Sequence, residues 1–549
     1  MDLLVIDLKN AEVERIPSPS SLEGLEEGIS LHRKYGKESL VITSPSSVSM
    51  ETSSINCWTV VWDSPLLGHE TFALFNTYHG YSLYRLGIKA MVILGRSDRM
   101  KYIALSSASI EILPSENLRG TESLYFEEVA LSSHSDLSLS TGPAGDSGVK
   151  FASIQSGGKN MPGIDLGHIF FLHNLKGIVL PGFPDRKAGE GNIPQRNAEK
   201  GEYFKSIRSY GGYSFVSKAS SLGWLPVRGW QDRTDPRSGS IDGCAMAERY
   251  GNYPESCSDC ILACDRRRKD GHILPKWREM MTLGTNLGFF DPDNIDSIVS
   301  EVRKYGLDAS VTGSMLAYIL SDEERMAEYG LKDRSVPEIV ALISRIASGC
   351  ILYNGLSDLP GCIQCQDHLP IDFDLRGASA MALSYSSLLG FFLPSTLLFP
   401  KRRPKEDAAA TIAFYEVIHY LALSSLGHPP MCSDLGYWSK VPEAAFQSRL
   451  LARFYSRRFH AFGHSSLELL EKGMEIYRIL GVEWTPLPSH FLLDSDSAGG
   501  SDTVPLKRLQ DYWDEEKLRL EIMLRSRREK RVKHSAERSA KDGGSEVLG

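Results

Sequence analysis

The middle of the chain contains the stretch Cys257-Ser-Asp-Cys260-Ile-Leu-Ala-Cys264, and it carries the strongest chemical signal in the sequence. Thiolates spaced three and four residues apart in one short loop can converge on a single metal group, and they suit iron and zinc. An iron–sulfur cubane needs four ligands, so a fourth thiolate must come from elsewhere in the chain. The candidates for that ligand are Cys244, Cys350, Cys362, Cys365 and Cys432.

Zinc is the alternative to iron at these cysteines. Structural zinc sites are usually built from paired Cys-x-x-Cys or histidine halves, and Cys362-Ile-Gln-Cys365 could supply a second half. The cysteines are followed by the basic run Arg266–Lys269. This run would favour a negatively charged cluster, or it forms a solvated basic turn.

Composition sets limits on the class of protein. The 549 residues are enough for two to three domains, and the hydrophobic share of 42% is ordinary for a globular chain. A net charge of −8 gives no electrostatic argument for nucleic-acid binding. The start at Met1–Asp7 has the character of a strand rather than of a signal peptide. The nine cysteines are an odd number, which favours a reducing, cytoplasmic location.

Hydrophobic patterning predicts an α+β fold. Short β-type runs dominate residues 1–197, whereas helical periodicity dominates afterwards. We expect an N-terminal β-rich domain (residues 1–197), a helical domain with the cysteines (198–400), a C-terminal helical domain (401–515) and a basic, disordered tail (516–549). The uncharged segment 377–399 contains many serines and a proline, so we expect a buried core helix and no membrane span.

A series of short motifs around the cysteines resembles one family, the aldehyde ferredoxin oxidoreductases. That family has a Cys-x-x-Cys-x-x-x-Cys loop in the middle of its chain, and the resemblance covers residues 1–515. The other matching segments, in chain order, are Asp63–Gly68, Leu86–Ser97, Gly142–Asp146, Asn174–Val179, Gly223–Trp230, Tyr305–Asp308, Thr312–Gly313, Asp374–Ala378, Leu487–Leu493 and Leu506–Trp513.

The resemblance implies a specific set of cofactors and partners. A β-rich domain would lie beneath two helical domains, with tungsten or molybdenum held by two pterins between them and a [4Fe–4S] cluster nearby. Such proteins oxidise aldehydes to carboxylates and pass electrons to ferredoxin or another iron–sulfur acceptor, and many are homodimers. The metal would supply the oxygen-transfer chemistry and the protein the binding and electrostatics.

The same resemblance assigns roles to individual residues. The cluster ligands would be Cys257, Cys260 and Cys264, with Cys432 replacing a family cysteine whose position is taken by Pro429. The cofactor-binding residues would be Gly306, Leu307, Asp308, Arg376, Leu426 and Gly427.

Several family positions have changed. The leading aspartates of the two pterin loops fall on Arg303 and Ser424, and the arginine of a phosphate-binding turn falls on Gly163. The glycine–arginine turn expected near residues 27–28 is missing. The proton-handling glutamate aligns with Arg278, which leaves Glu279 and His428 as weak catalytic candidates.

Three hypotheses follow from this pattern. The chain is an oxidoreductase with an eroded pterin and acid–base site, or a non-catalytic electron-transfer or scaffold subunit that keeps the fold and the cluster, or a zinc-stabilised structural protein. The basic segment after Lys517 would provide a docking arm for an acidic ferredoxin.

Overall fold

The structure is a computed structural model that describes residues 1–45, 57–183, 202–256, 263–364, 370–376, 382–383, 406–426, 465–481, 484 and 506–542. Its strands are β1 (Asp2–Asp7), β2 (Glu12–Pro17), β3 (Leu40–Thr43), β4 (Trp58–Ser64), β5 (His69–Phe75), β6 (Ile88–Leu94), β7 (Lys101–Leu105), β8 (Ile110–Pro114), β9 (Leu137–Thr141), β10 (Ile154–Ser156), β11 (Lys159–Asn160), β12 (Leu175–Leu180), β13 (Tyr253–Glu255) and β14 (Asp265–Arg267).

The α-helices of the described residues are α1 (Gly24–Tyr35), α2 (His79–Arg85), α3 (Ser123–Ala130), α4 (Pro143–Asp146), α5 (Leu166–His173), α6 (Glu202–Tyr210), α7 (Ser214–Leu222), α8 (Gly243–Tyr250), α9 (Trp277–Thr282), α10 (Pro292–Tyr305), α11 (Ala309–Leu320), α12 (Glu323–Glu328), α13 (Val336–Ala347), α14 (Glu406–Ser425), α15 (Ser466–Leu480) and α16 (Leu506–Asp542).

Two six-stranded sheets form the first part of the chain. The first sheet has the order β2-β1-β6-β3-β4-β5, and the second has the order β11-β10-β9-β12-β7-β8. Each sheet is mostly antiparallel and contains one parallel pair, β1 with β6 and β7 with β12. A parallel pair needs a crossover connection, so each sheet is assembled from segments far apart in sequence.

The central strands of the first sheet are buried on both faces, whereas the edge strand β2 is largely exposed. Successive side chains of a strand point to opposite faces, so Leu3 and Leu4 belong to different cores. Leu4 packs between the two sheets with Trp62 and Ile178, whereas Leu3 packs against helix α1 and the C-terminal helices. The apolar runs predicted from sequence are therefore strands covered on both sides, and the predicted β-rich start is confirmed.

A separate core holds the helices that follow. Helices α7, α9, α10, α11 and α13 contribute many of its buried residues, including Met280, Val299 and Leu316. Helix α11 is apolar on nearly every side, which is typical of a helix at the centre of a bundle. The predicted order of a β-rich part and then a helical part is confirmed, and the fold class is α+β.

The last helices pack against the first sheet. Trp513 of α16 is fully buried and meets Phe414 of α14 edge to face, with ring centroids 5.3 Å apart. Helix α16 has 37 residues, a length of about 55 Å. The structure therefore places a helix as far as Asp542 where the sequence predicted a disordered tail.

Segment 377–399, expected to form a buried core helix, lies outside the described residues except at residues 382–383. Within the parts of the chain that are described, no helix is both long and apolar enough to span a bilayer.

A fully buried ion pair joins Lys176 of strand β12 to Asp146, the last residue of the motif Gly142–Asp146. The Lys176 ammonium lies 2.6 Å from the Asp146 carboxylate and also donates to the carbonyls of Thr121 and Thr141, each at 2.9 Å. The Gly120 N–H donates to the same carboxylate oxygen at 2.7 Å. Burial raises the pKa of Asp146 and lowers that of Lys176, and each shift is resisted by the partner's charge.

We expect Lys176→Met to lower the free energy of unfolding by about 3–5 kcal/mol, because it leaves the Asp146 charge buried without its cation. Urea denaturation measures the change. Lys101→Met is the matched control, since Lys101 lies on the neighbouring strand and is partly exposed. An equal loss in both variants would show that the ion pair has no special role.

Candidate cofactor and metal site

The cysteine loop (residues 257–264) connects two paired strands in the chain. Strands β13 and β14 are antiparallel, and their last pair is Glu255–Asp265. Residues 257–262 lie outside the described residues, so Cys257 and Cys260 are not placed, whereas Cys264 is placed and partly buried. The strand pair therefore holds the residues that flank the cysteine loop, Glu255 and Asp265, opposite each other.

Hydrogen bonds fix the base of the cysteine loop. The Gly212 N–H donates to the Cys264 carbonyl at 2.7 Å. The buried Arg266 guanidinium donates to the carbonyls of Ala263 and Asp265, to the Asn252 side chain at 2.7 Å, and to the carbonyl of Arg208 at 2.8 Å. One cation therefore connects the loop to strand β14, helix α6 and the segment after helix α8.

The run Arg266–Lys269 is not the uniformly solvated turn that the sequence allowed. Arg266 is 2% exposed, and Arg268 makes an ion pair with Asp296 at 2.5 Å. His272 contacts the same carboxylate at 2.9 Å. Arg266 and Arg268 thus bind groups of the protein itself, through hydrogen bonds to carbonyls and an ion pair respectively.

The alternative zinc half-site is poorly arranged at the one cysteine that can be examined. Cys362 is buried, and its thiol lies 3.6 Å from the Ser314 carbonyl of helix α11. Burial raises the pKa of this thiol to about 12, and the polar group that it contacts is a backbone carbonyl. Cys365 and Cys432 lie outside the described residues. Among the described residues, no three His, Cys, Asp or Glu side chains converge on a metal-sized site.

The first cofactor loop (residues 303–308) is held against the second sheet. Gly306 ends helix α10 with φ of +71°, a left-handed conformation that glycine adopts without a steric cost. The Gly306 carbonyl accepts from the Ser153 N–H at 2.8 Å, and Asn160 donates to the Leu307 carbonyl at 2.6 Å. A Cβ at Gly306 would lie 3.1 Å from the Gly142 nitrogen, so the motifs Tyr305–Asp308 and Gly142–Asp146 are in direct contact.

Asp308 begins helix α11. One oxygen of its carboxylate accepts from the N–H groups of Ser310 and Val311, both at 2.9 Å. The residue is partly exposed, but its carboxyl is enclosed, and this burial raises the pKa of Asp308 to about 6. The nearby carboxylate of Asp372 adds to the rise, and Arg278 opposes it. Arg278 itself pairs with Asp372 at 3.2 Å.

Arg303 occupies the position where the family pattern has an aspartate, and its charge is neutralised by Glu279. Two guanidinium nitrogens lie 3.1 and 2.5 Å from the two Glu279 oxygens, and both side chains are 7% exposed. Arg303 also donates to the Ile273 and Leu274 carbonyls. Burial alone would raise the pKa of Glu279, but the Arg303 charge outweighs it and lowers the pKa.

This geometry works against one predicted catalytic role. A carboxylate that is paired with a guanidinium and has a lowered pKa stays ionised near neutral pH, so it is a weak proton carrier. Glu279 also accepts from the Lys276 N–H at 2.6 Å, so it serves as part of the cap of helix α9. The other weak candidate, His428, lies outside the described residues.

Arg376 is placed in a buried ion pair rather than in an open phosphate site. It contacts Asp374 through several nitrogens, the closest at 2.6 Å, and donates to the Trp230 carbonyl at 2.6 Å. Burial raises the pKa of Asp374, and the guanidinium opposes the rise. Several of the Arg376 N–H groups that were expected to bind a phosphate therefore donate to Asp374 and Trp230 instead.

The second cofactor loop (residues 424–429) is described only at its start. Ser424 ends helix α14 and donates to the Tyr420 carbonyl at 2.5 Å. The carbonyl of Ser425 lies against Gly24, the first residue of helix α1. Leu426 is partly buried, whereas Gly427 and Pro429 lie outside the described residues.

The two early phosphate-binding turns have other roles here. Residues 27–28 lie inside helix α1, so no turn forms there. Gly163 leads into Asp165, which accepts from the Trp62 indole at 2.7 Å and the Ser64 hydroxyl at 2.5 Å. Burial raises the pKa of Asp165 to about 6, against these hydrogen bonds. Its carboxyl connects the first sheet to helix α5.

Two features of this region were not predicted. Asp372 lies near Asp308, and no short motif marks it. Glu416 and His419 are both buried on helix α14, one turn apart, and the Glu-x-x-His spacing was visible in the sequence. Burial lowers the pKa of His419 to about 3, so its imidazole is neutral at pH 7.

Sequence comparisons agree with this architecture. Residues 4–182 match the model of the aldehyde ferredoxin oxidoreductase N-terminal domain, and residues 192–356 match the model of domains 2 and 3 of the same proteins. The tungsten-containing aldehyde ferredoxin oxidoreductase of Pyrococcus horikoshii is 28% identical over 48% of this chain and 46% of the relative. That of Thermococcus kodakarensis is 26% identical over 51% and 49%. The chain thus spans about half the length of the curated relatives it matches.

A solved structure extends the similarity in fold. A chain of the active site complex BamBC of benzoyl coenzyme A reductase, in complex with 1,5 dienoyl-CoA, superposes with a TM-score of 0.62 at 16% identity, over 94% of this chain and 98% of that one. The fold therefore continues past the part that the sequence models match. With two family models matched in order and the same architecture throughout, the chain belongs to the aldehyde ferredoxin oxidoreductase family, as a distant member.

Proposed function

We propose that this chain is an iron–sulfur oxidoreductase that oxidises a small aldehyde-like substrate and passes the electrons to ferredoxin or a similar acceptor. The observation that carries the proposal is the cysteine hairpin, in which β13 and β14 pair the residues that flank the cysteine loop and Arg266 anchors its described end. Cysteines clustered in one loop are typical ligands of an iron–sulfur cluster.

A [4Fe–4S] cluster fits the residues of this loop. Cys257, Cys260 and Cys264 would hold three of its irons, and Cys432 the fourth. Cys264 supports the assignment, because it is partly buried and its backbone is fixed by the Gly212 N–H. When bound, the cluster supplies one-electron transfer.

A metal–pterin would be bound by the two cofactor loops. Gly306, Leu307 and Asp308 would form one side, Leu426 and Gly427 the other, and Arg376 would lie nearby. When bound, tungsten or molybdenum supplies oxygen-atom transfer. The resemblance expects free hydrogen-bonding groups at positions 303 and 376, but both are arginines paired with carboxylates. We therefore propose that the pterin site offers fewer hydrogen bonds to the cofactor.

Proton exchange in this region is better assigned to Asp308 than to Glu279. A general acid or base works best when its pKa lies near the working pH, and burial brings the pKa of Asp308 to about 6. Asp372 and Arg278 are adjacent and set the local charge. Glu279 instead holds Arg303 in place.

The second candidate function is an electron-transfer or scaffold subunit that keeps the fold and the cluster without the metal–pterin. The Arg303–Glu279 pair favours this second function. Arg303 stands where a cofactor-binding carboxylate is expected, and its charge keeps Glu279 from carrying a proton. Under either function, the zinc-stabilised structural alternative is disfavoured by the buried Cys362 thiol.

Helix α16 would serve as the docking element for an acidic ferredoxin. Arg525, Arg528 and Lys530 are exposed on it, and its apolar Leu518 and Ile522 are 58% and 60% exposed. Basic side chains beside apolar ones would steer and then hold an acidic partner. We further propose a cytoplasmic location, a homodimeric assembly and domain divisions near residues 197 and 400.

Metal analysis of the anaerobically purified full chain separates these functions. We expect about four iron per chain with labile sulfide. Tungsten or molybdenum at about one per chain would support the oxidoreductase, because that metal carries the oxygen chemistry. Iron without either metal would leave the electron-transfer subunit, and zinc without iron or sulfide would exclude both.

Substitution of single cysteines tests the ligand set. We expect Cys264→Ser and Cys432→Ser each to lose the visible absorbance of the cluster, because a cubane needs its fourth thiolate. Cys362→Ser is the matched control and should keep the absorbance, since its thiol faces the Ser314 carbonyl. Loss in Cys362→Ser with retention in Cys432→Ser would move the fourth ligand to the Cys362–Cys365 segment.

The raised pKa of Asp308 makes a prediction about stability. The folded protein holds a proton on Asp308 up to about pH 6, whereas the unfolded chain releases it near pH 4, so the contribution of Asp308 to stability falls as pH rises between these values. The free energy of unfolding of Asp308→Asn should therefore rise by about 2–3 kcal/mol relative to that of wild type as the pH goes from 4 to 7.

Urea denaturation across that pH range measures the gain. Asp291→Asn is the control, because Asp291 caps helix α10 in the same way with a side chain 47% exposed. A difference between Asp308→Asn and wild type that does not change with pH would contradict the raised pKa and remove Asp308 as a proton carrier.

A further inference from the structure

A cleft lies at the C-terminal end of helix α11, whereas the first cofactor loop lies at its N-terminal end. It encloses about 350 Å³ and is lined by Arg228, Arg237 and Arg334, with Asn286 and Gly288 at its floor. No aspartate or glutamate is among the described residues that line it. Helix α11 has 12 residues, so the cleft is about 18 Å from Asp308 along the helix axis.

The three arginines are oriented but not saturated. Arg237 makes a bidentate contact with Asp235 at 3.0 and 2.8 Å, and its guanidinium lies over the Phe290 ring at 4.2 Å. Arg228 contacts Asp232 through a single nitrogen. Arg334 donates only its Nε, to the Leu320 carbonyl at 3.1 Å, and contacts no carboxylate among the described residues. Each guanidinium therefore keeps N–H donors that a bound anion could use.

The turn that carries Arg228 is held in an unfavourable backbone conformation. Arg228 and Trp230 have φ of +50° and +60°, in a region that residues with a Cβ seldom adopt. Two hydrogen bonds fix the turn in this conformation. The Arg228 N–H donates to the Thr285 carbonyl at 3.1 Å, and the Gly229 N–H donates to the Asn286 carbonyl at 2.8 Å. Strain that the surroundings impose so firmly is concentrated at binding sites in proteins.

Gly288 completes the floor of the cleft. A Cβ at this position would lie 3.3 Å from Cγ of Arg228, and the backbone has φ of +90°. The absence of a side chain lets the Arg228 stem lie directly over the Gly288 backbone. The turn at Arg228 and the turn at Gly288 therefore fit each other, and both present the Arg228 guanidinium to the cleft.

The cleft continues into a wider groove. Arg237, Gly288 and Phe289 line both, and the groove adds Phe290, Asp291 and Arg249. Arg249 is paired with Asp293 and lies 3.8 Å from Asp291, so the positive charge available to an anion is concentrated in the cleft. Arginines suit phosphate because their planar N–H groups match its oxygens, and an aromatic wall suits the organic part of a ligand. The two parts together have the features of a site for an anionic organic molecule.

We propose that this arginine cleft binds a small molecule with a di- or polyphosphate group, held by Arg228, Arg237 and Arg334. The organic part of the ligand lies along the groove at Phe289 and Phe290. The site is separate from the cofactor loops, and the proposal does not rest on the function assigned to them.

Inorganic pyrophosphate is the probe. Calorimetric titration of the full-length protein should show saturable binding that weakens as salt increases. We expect Arg334→Gln and Arg228→Gln each to weaken binding at least about tenfold, because each removes a charge-assisted contact. Arg334→Lys, which keeps the charge but not the planar donors, should fall between wild type and Arg334→Gln.

Arg345→Gln is the matched control, since Arg345 donates to the Tyr329 carbonyl and does not line the cleft. Its affinity for pyrophosphate should equal that of wild type, and the unliganded melting temperatures of all variants show whether each has folded. Absence of binding to wild type overturns the proposal. So does an equal loss of affinity in Arg345→Gln, which would indicate only a general effect of net charge.

Discussion

The first sheet has apolar side chains on both faces, and the position of the other elements depends on it. Leu3 and Leu4 are neighbours in β1, yet they belong to two different hydrophobic cores. One face of the sheet binds the second sheet, and the other binds α1, α14 and α16. A polar residue at any inward position of β1 or β6 would disturb one of these layers. The second cofactor loop reaches the β-rich part through this contact, because the end of α14 lies against Gly24.

The region of the cofactor loops shows how one substitution changes the roles of its neighbours. With an arginine at position 303, the Glu279 carboxylate becomes its counter-ion and the cap of α9. With an arginine at position 278, the Asp372 carboxylate becomes a counter-ion as well. Each of these arginines is therefore paired with an acid; the Arg303–Glu279 pair is buried, whereas the Arg278 side chain is 41% exposed. Asp308 is the carboxyl that retains a pKa near the physiological range.

The parts of this structure that could be predicted from sequence are those that local patterns determine. The alternation and length of apolar runs predicted the β-rich first part, and helical periodicity predicted the helices that follow it. The ordered motifs indicated the family, and the spacing of Cys257, Cys260 and Cys264 indicated a shared loop.

Features set by tertiary contacts could not be predicted. Arg266 belongs to a charged run, and only the fold shows that it is buried among carbonyls rather than solvated. Asp372 lies close to Asp308 although 64 residues separate them in the chain. Residues 516–549 were predicted to be a disordered tail because the segment is basic, but Leu520 and Leu524 are buried with Trp513 in the C-terminal core and helix α16 continues from there.

The anchoring of the cysteine hairpin has a consequence for the maturation of the protein. In small zinc domains the metal holds the ligand-bearing segments together, so the chain cannot fold before the metal arrives. Here β13, β14 and the carbonyls around them are joined by Arg266 and by the Gly212 N–H, which are part of the polypeptide itself. These contacts need no metal, so the proposed cluster would be inserted after the chain has folded, as a late step in biogenesis.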